Sequence, residues 1–183
     1  MPPSANFSEA NDEPYKRQMT SYRRTRTAIL ESTKDLLALK GLTEMSMIDI
    51  ADTAQVSRAT LYNHFRNKES VIRGLLEDEI SKIIELMEVA NSPEDALSLL
   101  SMEISLDPAL FTLRQRDPAL LTQLLSSGAD PLWAQLHEAL ASSLSSLLKV
   151  ELTIRWLIGQ VFAPLTQEQS RAQAKEIVGM LAD

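Results

Sequence analysis

The chain has no cysteine and only two histidines, His64 and His137, among 183 residues. Disulfides and thiol chemistry are therefore excluded, and a reducing compartment is allowed. HExxH, GxSxG, a P-loop and a Gly-rich dinucleotide turn are all missing from the sequence. Acids are numerous, but they fall on amphipathic helix faces where solvation accounts for them. No catalytic or metal-ligating residue and no cofactor is assigned, and the chain does not read as an enzyme. Glycine is scarce, with 5 residues, and aromatics make up 5%. That shortage disfavours sheets, which need more aromatic and β-branched residues, and favours helices. Apolar runs fall far short of the roughly 20 residues of a spanning helix. The N-terminal MPPSANFSEANDEP carries acids and lacks an apolar signal core. A protein of the cytoplasm, without a membrane partner, is the expectation.

What is present is an uneven charge. The net charge is −7, with 18 Lys+Arg against 25 Asp+Glu. Residues 15–73 nevertheless hold 11 Lys+Arg against 6 Asp+Glu, whereas residues 74–183 hold 7 against 16. A basic module joined to an acidic one implies that the first meets a polyanion and the second does not. Hydrophobic residues reach 44%, enough for a substantial core.

Along the chain, residues 1–20 mix Pro, Ser, Asn and acids without apolar periodicity, and are expected to be a flexible tail. Ile29, Leu36 and Leu37 place a helix from Arg23 to Lys40, stopped by Gly41. Ser46 and Asp49 form a capping box before a two-turn helix. Ser57 starts another that reaches about Phe65, and Asn67 restarts a long one to about Ala90. Ser92-Pro93, Asp107-Pro108, Asp117-Pro118 and Asp130-Pro131 each place a capping side chain before a proline, and so predict four further helix starts. Pro164 closes the apolar segment ELTIRWLIGQVFA, and Thr166 with Gln169 caps a last helix to about Ala182. The expected fold is all-α, with about nine helices.

The segment SRATLYNHFRNKES, residues 57–70, explains the basic module. On a helix Leu61 and Phe65 make a narrow apolar back. Small and hydrogen-bonding side chains make the front, which is what entry into a DNA major groove requires. Over residues 26–72 the pairs Ile50-Ala51, Val56-Ser57, Leu61-Tyr62, His64-Phe65 and Lys68-Glu69 fall in one register, with Ile29-Leu30, Gly41 and Ser46 upstream. This pattern resembles the helix-turn-helix of the TetR/AcrR family of bacterial transcriptional regulators. One departure is Gln55, where the family often has glycine in the turn. A positive φ there would cost a non-glycine residue on the order of 1 kcal/mol.

The resemblance implies a division of the chain: a tail (1–20), a DNA-binding domain (21–67) and a ligand-sensing and dimerisation domain (68–183). It implies base-edge contacts by Arg58 and Ala59, with Thr60 to base or phosphate. It implies phosphate contacts by Tyr62, Asn63, His64 and Lys68. Ser46 is a further phosphate donor at a helix N-terminus. Arg23 and Arg24, with Arg26, Lys16 and Arg17, form a basic arm. By the same resemblance the partners are a double-stranded palindromic operator, a second copy of the chain and a small-molecule effector. The chain would then be a repressor near the bacterial nucleoid, or an activator. A helical interaction protein without DNA binding is the remote alternative. Met87, Met102, Phe111, Trp133 and His137 are the expected pocket residues. Trp156, Leu157, Val161, Ile177, Val178 and Leu181 are the expected dimer contacts.

Overall fold

The computed structural model describes residues 12–126, 131–144 and 146–179. Among them are ten helices, rather than about nine, and no strand. They are α1 (Asp12–Glu44), α2 (Met47–Thr53), α3 (Arg58–His64), α4 (Lys68–Val89), α5 (Pro93–Leu106), α6 (Pro108–Arg116), α7 (Pro118–Ser126), α8 (Pro131–Ser143), α9 (Leu147–Phe162) and α10 (Gln167–Gly179). None of the described helices is by itself long and apolar enough to cross a membrane.

Most helix starts are where their capping side chains put them. Ser46 and Asp49 close a capping box on α2, and Asn67 with Ser70 does the same for α4. Ser57, Ser92 and Asp107 accept from first-turn N–H groups of α3, α5 and α6. Thr166 and Gln169 bond reciprocally at the start of α10. Prolines open α5, α6, α7 and α8. Asp130 and the residues beyond Gly179 lie outside the described residues.

Two expectations are corrected. Helix α1 begins at Asp12, not near Arg23, so residues 12–20 of the supposed tail are helical; residues 1–11 lie outside the described part. Periodicity missed this extension because residues 16–24 are exposed and need no apolar stripe. Pro14 falls in the first turn, where its missing N–H costs nothing. The second correction concerns Asp117. Its buried carboxylate does not cap α7 but turns to α1, where it accepts from the N–H groups of Leu42 (2.7 Å) and Thr43 (3.3 Å) and from the Thr43 hydroxyl.

That contact exists because α1 breaks at Gly41, with φ 79° and ψ 179°, a region essentially closed to other residues. A Cβ at Gly41 would also stand 2.5 Å from the Asp117 carboxylate. The break frees N–H groups, and Asp117 takes them. Around it, Thr112 donates to the Ala38 carbonyl (2.6 Å) and Arg116 pairs with Glu44 (3.3 Å). Helix α6 is thereby fastened to the last turns of α1.

Two apolar cores result. The first joins Ile29, Leu30, Ile50, Leu61, Phe65 and Val71 to Leu113 of α6, Leu121 of α7 and Val161 of α9. The second joins Met87, Leu97, Leu100, Leu140, Val150 and Leu157. Helix α4 runs through both. A buried polar seam binds α5, α9 and α10: Ser101 donates to Gln160 (2.6 Å) and accepts from Ser170 (2.7 Å).

Replacing Asp117 by alanine should leave the Leu42 and Thr43 N–H groups without partners and lower stability by about 2–4 kcal/mol. The exposed Asp52→Ala should stay within about 0.5 kcal/mol. Urea denaturation of both variants checks this.

Candidate nucleic-acid interface

Helix α3 is short, and its position is set from behind. Leu61 is fully buried and Phe65 nearly so. Burying each stabilises the fold by about 1.5–3 kcal/mol and leaves α3 little freedom to rotate. The Phe65 ring lies against Gly74 of α4, where a Cβ would come within 2.6 Å of it. The Arg26 guanidinium covers the same ring at 5.5 Å and reaches Glu77 at 3.5 Å. Ahead of α3 the chain turns through Gln55 at φ 54°, the positive value its glycine-rich counterparts would accommodate more easily. Val56 N–H then returns to the Ala51 carbonyl (3.0 Å).

The opposite face is open. Arg58, Ala59 and Asn63 are exposed, and Tyr62 is 54% exposed. Thr60 is half-buried, and its hydroxyl lies 2.8 Å from that of Ser57 at the helix start. Among the described residues neither Arg58 nor Arg66 forms an ion pair. Arg66 is exposed just past α3 and was missed in the sequence pattern, since it is not part of the register that carries the resemblance. On α1, Arg23 and Arg24 are exposed, beside Lys16 and Arg17.

Three expected phosphate contacts are committed elsewhere. The His64 ring stacks on Tyr22 of α1, with centroids 4.1 Å apart. Burial, and then the charge of Arg26, hold its imidazole below the usual histidine range, and its buried Nδ1 has no hydrogen-bond partner among the described residues. The ring is half-buried and packs between α1 and α3. Lys68 turns inward and donates to the carbonyls of Leu42 and Met45, both at 3.0 Å. Its ammonium closes the end of α1, whose last carbonyls need donors. Ser46 spends its hydroxyl and its N–H on Asp49, at 2.6 and 2.8 Å. Lys40 adds a 2.8 Å ion pair to that carboxylate; Lys40 and Ser46 together hold Asp49 down at about 2.

Residues 29–75 match the family model described as bacterial regulatory proteins, tetR family. Over that segment the chain is similar to the TetR family. Its head is 38% identical over 66 residues to the HTH-type transcriptional repressor KstR2 of Rhodococcus jostii (strain RHA1). It is 32% identical over 60 residues to the dhaKLM operon transcriptional activator DhaS of Lactococcus lactis subsp. lactis (strain IL1403). These matches take in 34% and 33% of this chain and span 32% of each relative's length. The TetR-family fold extends over the body as well. The crystal structure of the repressor AlkX from Dietzia sp. strain DQ12-45-1b superposes with a TM-score of 0.61 at 23% identity, covering 85% of this chain and 94% of that one. The DhaS structure superposes with a TM-score of 0.60 at 18% identity, covering 86% and 93%.

In the body the structure places the residues of both expected sites as follows. A cavity of about 510 Å³ lies between α1, α4, α5 and α6, with Leu124 of α7. Its walls include Leu37 of α1, Ile72 and Leu75 of α4, Ile104 of α5 and Leu113 of α6. None of Met87, Met102, Phe111, Trp133 and His137 lines it. Met87 borders a separate 390 Å³ hollow, Phe111 is 57% exposed, and Trp133 packs on the second core. Met102 and His137 are half-buried. Sequence spacing located apolar helix faces, but a cavity forms only where facing helices fail to fill the space between them.

The expected dimer contacts divide in the same way. Leu157 and Val161 are buried in the chain's own cores. Trp156 is half-buried, with its indole N–H donated to Gln173 (2.6 Å), and Ile177 and Val178 pack on the second core. Leu181 lies outside the described residues. The open face of α9 is instead Leu148 (53% exposed), Leu152 (41%), Arg155, Gly159 and Phe162 (45%), in one stripe at helical spacing.

Lys68→Met should lower thermal stability by about 1–2 kcal/mol through the two orphaned carbonyls. Once folding is corrected for, its salt dependence of DNA binding should match wild type. Thermal melts and salt titrations by fluorescence anisotropy check both.

Proposed function

We propose that the chain is a DNA-binding transcriptional regulator that acts as a homodimer on a palindromic operator and responds to a small molecule. The observation that carries this reading is the exposed front of α3 set on a rigidly packed back. Arg58, held on the first turn and free of internal partners, is suited to a bidentate pair with guanine in the major groove. Ala59 leaves room for close approach there. Thr60 lies on the same turn, within reach of a base edge or a phosphate. Tyr62, Asn63 and Arg66, with Arg23 and Arg24 on α1, are placed to grip phosphates, which fixes position without reading sequence. One such head touches few base pairs, so two are needed to define a site.

The second copy is proposed to meet the first through the α9 stripe of Leu148, Leu152 and Phe162. Leu148, Leu152 and Phe162 leave large apolar side chains exposed on one face, interrupted by Arg155, and exposed apolar side chains grouped in this way mark interaction surfaces. Gly159 in its middle has open space around it and would let two helices approach closely. The 510 Å³ cavity is the proposed effector site, because its walls come from both the body and α1 of the head. Repression by occluding a promoter in the bacterial cytoplasm is the first reading of the outcome. Activation is the second, favoured by the likeness of both head and fold to the activator DhaS.

The test is capture of genomic fragments by the purified protein, followed by footprinting; no fragment bound above random DNA at moderate salt would sink the proposal. On the footprinted site, Arg58→Ala should cost about 1–3 kcal/mol and relax one base preference while leaving stability unchanged. Leu152→Glu should shift the protein towards monomer in sedimentation experiments and weaken operator binding with it, whereas the fold of each protomer persists.

A further inference from the structure

The cavity carries enough chemistry to name the class of molecule it takes, given the effector-site reading of it above. Apart from five charged residues its walls are aliphatic, and among the described residues no aromatic ring lines it. A flat aromatic ligand would find nothing to stack on, so the ligand's body is an aliphatic or alicyclic one. At about 30 Å³ for each water-sized group, the space takes on the order of 15 non-hydrogen atoms.

The charged groups at the cavity decide the head. Lys34 is bonded to Glu79 (2.6 Å) and Asp107 (2.9 Å), and Lys82 to Asp78 and Glu79 (both 2.9 Å). Burial opposes charge on Lys34, but its two carboxylate partners outweigh this and raise its pKa; Lys82 is raised in the same way. Both cations are therefore fully charged and already shared between two acids. Asp107 is equally committed, since its other oxygen caps α6 through Ala109 (2.7 Å) and Leu110 (3.0 Å). An anionic head would have to displace one of these carboxylates from a lysine that two acids already share. Glu103 is different. It lines the cavity from α5, and among the described residues it has neither an ion pair nor a hydrogen bond.

We infer that the cavity binds aliphatic amines, with the protonated nitrogen paired to Glu103 and the chain laid along the α1–α4–α5–α6 walls. Decylamine, decanol and decanoate, kept below their aggregation limits, are the probes, with binding to the full chain read by calorimetry. Decylamine should bind at least about tenfold more tightly than decanoate. Glu103→Gln should reduce decylamine to the affinity of decanol and leave decanol unchanged. Decanoate binding as tightly as decylamine, no binding by any probe, or an unaltered amine preference in Glu103→Gln would each overturn the inference. Glu103 is exposed, so the variant should melt with wild type; if it does not fold, the amine–carboxylate comparison on the wild-type chain still decides. Footprinting on the same preparations separates the two readings. A chain that binds its operator but prefers no amine retains the regulator reading and loses this one. A chain that binds amines but no operator loses the regulator reading alone.

Discussion

The position of the DNA-reading head depends on one carboxylate. Helix α1 cannot continue past Gly41, and the break leaves the Leu42 and Thr43 N–H groups with no helical partner. Asp117, at the junction of α6 and α7, satisfies both from 75 residues away. The carboxylate is buried, and the glycine is what lets the two elements come this close. Lys68 closes the same corner from the other side by bonding the carbonyls of Leu42 and Met45. The donors and acceptors released by one break thus tie α1 to α4 and to α6 at once.

This arrangement makes the head part of the body's packing. The first core runs without interruption from Ile50 and Leu61 to Leu113, Leu121 and Val161. The cavity sits beside that core, with Leu37, Leu42 and Lys34 of α1 among its walls. A molecule entering it would touch the helix that carries the head directly. Packed interiors respond to such insertion by switching between arrangements rather than by yielding smoothly. On the proposed reading of the cavity as an effector site, coupling to DNA needs no long relay, because α1 both walls the cavity and leads into the head.

Local signals were legible in the sequence wherever a residue's role is to terminate or begin a helix. Ser46, Ser57, Asn67, Ser92 and Asp107 cap the helices their spacing predicts, because capping is satisfied within four residues. The apolar back of α3 was legible for the same reason. Asp117 obeyed the same local pattern and yet does something else, since a stronger set of donors was brought to it by the fold. His64 and Lys68 likewise matched a register of phosphate contacts, but each found a partner inside the protein: Tyr22 for the imidazole, and two orphaned carbonyls for the ammonium. The extension of α1 back to Asp12 was invisible to apolar periodicity because residues 16–24 are exposed.

By itself the sequence determined the all-α fold, the order of most helices, and the family to which the reading head belongs. Those properties follow from propensity, caps and a periodicity that repeats within one or two turns. Tertiary structure alone decided where the cavity lies, which face of α9 is open, and which polar side chains remain free to meet DNA. Leu157 and Leu152 are chemically identical and sit on one helix, yet one is buried and the other 41% exposed. The difference arises from what packs against each, and that comes from helices distant in the chain.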